Sequence, residues 1–193
     1  MEIRRVKKHD VDMTSGSVFR HLLNFAVPLL MGNIFQQLYN TVDTWVVGNY
    51  VSNEAFSAVG TVAPIINTLI GAFSGLASGA GVVISQYYGA GKYDRVKDAV
   101  HTAVMMTLVL SVAFTAIGIA MTPNMLRLMK TPAEVFPESR AYLNIYFSGM
   151  AGLMLYNMGA GILRAVGDSK RPFYYLVCAA VINTVLDLVF VIV

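Results

Sequence analysis

Long stretches in which Asp, Glu, Lys and Arg are almost absent divide the chain, and they limit the folds open to it. Leu22 to Val51 carries only Asp43, and Ala55 to Ala90 carries no charge at all. Ala99 to Met125 has none apart from the titratable His101, Ala141 to Leu163 has none, and Pro172 to Val193 has only Asp187. Each stretch reaches the ~20 residues that a helix needs to cross hydrocarbon. Each is apolar nearly all round, whereas a helix on a soluble core alternates apolar and polar faces. The pattern predicts an all-α, polytopic membrane protein. Its five transmembrane helices run over approximately 18–50, 55–88, 97–124, 138–164 and 172–193, behind a tail over 1–17. Composition points the same way: 13% of residues are charged, against about 25% in a soluble domain. Twenty-five charged side chains could not cover a soluble globule of 193 residues.

The first stretch is not a cleaved signal peptide, because it exceeds 25 residues and carries Asn33, Gln36, Gln37, Asn40 and Asp43. The basic residues set the orientation. Eleven of the 14 lie in the N-terminal tail and in the connections after the second and fourth spans; Arg127, Lys130 and Arg140 lie on the other side. By the positive-inside rule the N-terminus is cytoplasmic and the protein sits in the cell membrane as a multi-pass protein. The basic balance is thus an orientation signal, and nucleic acid is not read as a partner. The run Leu188 to Val193 ends without a polar flank, so the chain reads as part of a longer protein.

Several motifs fail their tests. Gly89-Ala90-Gly91-Lys92 hints at a phosphate loop, but a Walker motif needs glycine at Gln86 and Ser or Thr at Tyr93. His9, His21 and His101 are scattered, so no zinc site is indicated, and the lone Cys178 excludes an internal disulfide. Gly71, Gly75 and Gly79 recur every four residues, a spacing that lets helices approach closely in lipid. Static packing is favoured over a sliding contact there.

The strongest signal lies in the first span. Asn33, Gln36, Gln37, Asn40, Asp43 and Thr44 fall within an arc of roughly 120° on a helical wheel. A carboxylate at mid-membrane costs ~2.5–3.5 kcal/mol on insertion scales, so it almost always faces a cavity or a partner. The fifth span carries Asn183 and Asp187 four apart, on one face. Two carboxylates at comparable depth and an asparagine carbonyl make oxygen ligands suited to Na⁺ or to a proton. If close, the carboxylates cannot both ionise cheaply and would take up a proton as a pair. Pro28 stands ahead of the polar stripe and permits a kink, either static or part of a switch.

These features together resemble the multidrug and toxic compound extrusion (MATE) family of cation-coupled antiporters. The matching residues are Pro28-Leu29-Leu30, Gln36 through Thr44 with Gly48, Ser85 through Gly91, Leu163-Arg164-Ala165-Val166-Gly167-Asp168 with Pro172, and Asn183-x-x-x-Asp187. The resemblance implies twelve helices in two pseudo-symmetric lobes, of which this chain holds five of the six in the N-terminal lobe. It implies a cation site, for Na⁺ or H⁺, at Asp43, Asn183 and Asp187. A supporting polar network would include Tyr142 and Asn157, beside Asn40 and Gln36 of the stripe, and Pro28 falls where relatives bend the first helix. No cofactor is implied beyond the coupling ion. The partners implied are a small organic substrate, the bilayer and the missing C-terminal lobe.

Two alternatives stay open beside the antiporter: a lipid-linked oligosaccharide flippase of the same superfamily, and an inert fragment with no transport of its own. An enzyme is not expected. An intramembrane aspartyl protease would need Tyr-Asp and Gly-x-Gly-Asp, but Asp43 follows Val42 and Asp168 sits in a basic loop.

Overall fold

A computed structural model describes residues 17–50 and 52–192, with the side chains of Val18, Asp43, Val47, Asp187, Leu188, Val191 and Ile192 outside the description. The described residues form α1 (Val18–Tyr50), α2 (Asn53–Gly89), α3 (Tyr93–Leu128), α4 (Phe136–Ser148), α5 (Met150–Ala165) and α6 (Lys170–Ile192). The fourth apolar stretch is therefore two helices, parted at Gly149. The break is slight, because Gly149 N–H still donates to Ile145 and Leu153 N–H reaches back to Gly149. The hydroxyl of Thr115 in α3 donates to the Phe147 carbonyl at 3.0 Å, which satisfies a carbonyl at the end of α4.

Helix ends follow local chemistry. Ser52 caps α2 by accepting from Ala55 N–H at 3.2 Å, and Glu54 complements the helix dipole in the first turn. Helices α2, α3 and α5 all close with paired 6→1 and 5→2 bonds. In α5 these are Asp168 N–H to Leu163 and Gly167 N–H to Arg164, at 2.9 and 3.0 Å. The residue at the left-handed position is Gly91 after α2, Lys130 after α3 and Gly167 after α5.

Packing is inside-out relative to a soluble bundle. On α3, Thr107 and Ser111 are 1% exposed while Val109 and Val112 are 65% and 71% exposed. Along α3 mostly small and hydroxylated residues face the neighbouring helices while large aliphatic ones face outward, as expected where lipid is the solvent. The hydroxyls of Thr107 and Thr122 cost little to bury, since they donate to the carbonyls of Ala103 and Gly118 at 2.7 Å. A central core joins Val62 and Phe73 of α2, Leu126 of α3, Leu143 and Phe147 of α4, and Met150 and Met154 of α5. Helices α2 and α3 are each long and apolar enough to cross a membrane.

The Gly71, Gly75 and Gly79 spacing marks no contact among the described residues, since a Cβ at any of them would meet open space. Close approach happens on another face of α2, where Ala77 and Gly81 meet Gly161 of α5.

Candidate functional site

Helices α1 and α6 pack together. Their register is set where Gly32 lies under Phe173 and Leu176, with contacts of 3.8 and 3.7 Å awaiting a Cβ there. The Phe35 and Phe173 rings meet edge-on nearby, with centroids 5.8 Å apart. The side chains of Asp43 and Asp187 themselves lie outside the described residues. Asn183, one turn before Asp187, is half-buried, and its Oδ1 is buried with no hydrogen-bond partner among the described residues.

Beside this helix pair lies a cavity of about 680 Å³ walled by α1, α2, α4, α5 and α6. From α1 it receives Pro28, Asn33, Gln36, Tyr39, Asn40 and Thr44. These run over ~24 Å of helix at 1.5 Å per residue. The hydroxyls of Thr41 and Thr44 donate to their own helix, to Gln37 and Asn40 carbonyls at 2.8 Å. The amides of Asn33, Gln36 and Asn40 are left to give the wall its polar character. Tyr142 and Asn157 stand in the facing wall, and the Asn157 amide donates to the Leu153 carbonyl at 2.9 Å. The cavity therefore brings together Pro28, Gln36, Asn40, Tyr142 and Asn157. Asn183 is not in its lining, and Gln37 faces elsewhere.

The lining also includes residues that the sequence reading passed over: Asn67 and Ser74 of α2, Tyr146 of α4, and Tyr156, Arg164 and Ser169 at the α5–α6 end. Asn67 and Ser74 stand seven apart in a span without charge, a same-face spacing that marks a second polar stripe. Arg164 was counted only as an orientation charge. Arg164 also lines the cavity, so a fixed positive charge borders a space expected to hold only carboxylates.

A ligand-sized cavity with polar side chains along one wall, held between helices whose outer faces are aliphatic, defines a multi-pass helical membrane protein. Comparison with known proteins gives the family. The family model described as MatE matches residues 28–189. The chain is 38% identical to the Probable multidrug resistance protein YoeA of Bacillus subtilis (strain 168), over 88% of this chain and 37% of that protein. It is 32% identical to the Probable multidrug resistance protein YpnP of the same strain, over 93% of this chain and 40% of that protein. Among solved structures, a crystal structure of MATE in complex with MaD3S matches with a TM-score of 0.86 at 25% identity, over 94% of this chain and 41% of that one. The chain belongs to the MatE family. It spans about two fifths of the length of these relatives.

Proposed function

We propose that the chain supplies the N-terminal lobe of a cation-coupled antiporter that exports amphipathic, often cationic, organic compounds across the cell membrane. The observation that carries this reading is the cavity. Its amide-rich α1 wall faces the rings of Tyr142, Tyr146 and Tyr156 across a volume of about 680 Å³, within the range of drug-sized sites. No bond is made or broken; the work is movement.

In this reading Asp43, Asn183 and Asp187 hold the coupling ion, Na⁺ or H⁺. The packing of α1 against α6 supports it, as does Asn183 Oδ1, which has no hydrogen-bond partner among the described residues. A buried carbonyl without a donor is costly and is offset by a cation or a proton-bearing neighbour. The N-terminus lies in the cytoplasm, following the basic residues. In the outward-facing state the ion enters from outside and neutralises the carboxylates. That removes a buried-charge penalty, allows α1 to bend at Pro28 and shrinks the cavity that held the substrate. Gln36, Asn40, Tyr142 and Asn157 are the polar contacts that the bend rearranges. The membrane potential adds ~2.3 kcal/mol per inward charge per 100 mV. Alternating access needs a second lobe opposite this one, so the 193-residue chain alone is expected to carry nothing unless two copies pair. The test is substrate efflux from vesicles holding the full-length protein, under Na⁺ and pH gradients imposed separately. Efflux driven by one gradient is expected, and efflux driven by neither contradicts the reading.

A lipid-linked oligosaccharide flippase is the second reading, and Arg164 on the cavity wall is the observation that favours it.

A further inference from the structure

One cation, Arg164, borders the cavity near the α5–α6 turn, and the carboxylate of that turn is engaged elsewhere. The left-handed Gly167 (φ +88°) closes α5 through the Asp168-to-Leu163 and Gly167-to-Arg164 bonds. That places Asp168 at the start of α6. There its Oδ1 accepts from the Lys170 and Arg171 N–H groups, both at 3.1 Å. Its Oδ2 meets the Arg171 guanidinium at 3.2 Å. The carboxylate nearest Arg164 in sequence is thus committed to the helix start and to another arginine. No carboxylate pairs with Arg164 among the described residues. Arg164 is half-buried and lines the cavity, whose wall also holds buried Ser169 and the aromatic residues Tyr156 and Phe173. An arginine that served only as an interfacial anchor would extend its long side chain out to the headgroups.

We infer that Arg164 is a specificity-determining residue, seating the carboxylate of an amphipathic substrate at this end of the cavity while its aromatic body lies against Tyr156 and Phe173. This rests on the transport reading above and deepens it. A guanidinium presents a planar pair of donors that match a carboxylate's two oxygens. In a cavity with few competing charges, that pairing discriminates a free acid from its ester. Among the amphipathic compounds of the transport reading, those that carry a carboxylate beside a cationic group are therefore bound in preference to those with the cationic group alone.

The test uses two dyes of one skeleton, rhodamine 110 with its free carboxylate and rhodamine 123, its methyl ester. Binding of each to the purified full-length protein is followed by fluorescence anisotropy. The quantity read is the ratio of the two affinities, because lost folded protein lowers both signals alike. Arg164→Gln is expected to lower the acid-to-ester ratio about ten-fold or more, the loss of one charge-assisted pairing. Arg164→Lys, which keeps the charge without the fork, is expected to lower it by less. A ratio unchanged in both variants overturns the assignment. A wild-type protein that binds neither dye and exports neither overturns the transport reading, and the assignment with it.

Discussion

Gly161 on α5 lies against Ala77 on α2 so closely that a Cβ at Gly161 would sit 3.0 Å from the Ala77 carbonyl oxygen and 3.2 Å from its Cβ. The obstructing atom is backbone, which cannot swing aside, so the two helices must part to admit a methyl. Gly161→Ala is expected to destabilise the folded lobe by about 1–3 kcal/mol, the range for overpacking. Gly75→Ala on α2 meets open space and is expected to be neutral or, through helix propensity, stabilising by up to about 1 kcal/mol. Thermal unfolding in detergent of the two variants side by side checks both.

A second close contact fixes α3 on α4. The ring of Phe147 occupies the place where a Cβ on Gly118 would project, and both residues are buried. Gly118→Ala should cost about 1–3 kcal/mol. Phe147→Leu in the same molecule should recover part of it, since contacting residues couple. Additive losses in the double variant would show that the two do not meet.

Chain reversals supply a paired prediction of opposite sign. Gly167 and Lys130 both hold the left-handed conformation, with φ of 88° and 54°. Gly167→Ala should cost about 1–2 kcal/mol, and Lys130→Gly should relieve a similar strain, offset in part by glycine's greater freedom when unfolded. Melting temperatures moving in opposite directions is the expected result.

Cavity volume gives a functional variant that leaves the ion site untouched. Ala63 of α2 lines the cavity and is half-buried. Ala63→Phe should fill part of it and weaken binding of bulky substrates about ten-fold or more, while a small substrate is spared. Affinities for a graded set of substrate sizes decide the matter; equal losses at every size would contradict the placement.

Much of this architecture was legible in the residues, and the reasons are physical. Charge-free length is a strong signal, so the apolar stretches stood out, and the stripe from Asn33 to Thr44 was periodic enough to mark one face of α1. The division of the fourth stretch was not visible, because Gly149 sits among residues as apolar as any helix core. The Gly71, Gly75 and Gly79 pattern misled, since small-residue spacing is a license for close approach and the partner decides whether it is used. On α2 it is Ala77 and Gly81 that are used. Arg164 was overlooked for a related reason. Counting basic residues assigns each to a side of the membrane and says nothing of where its side chain turns. The place of Arg164 on the cavity wall and the commitment of Asp168 to Arg171 emerge only from the fold.

The central claim is that the acidic residues of α1 and α6 couple ion entry to substrate release. Its most direct measurement is ion-driven efflux by the full-length protein in proteoliposomes, comparing wild type with Asp43→Asn and Asp187→Asn. Each substitution keeps size and hydrogen-bonding capacity while removing the charge that an entering ion would neutralise. The account predicts that both variants insert at wild-type levels and that both lose efflux coupled to the imposed gradient. Wild-type efflux from either variant would contradict it.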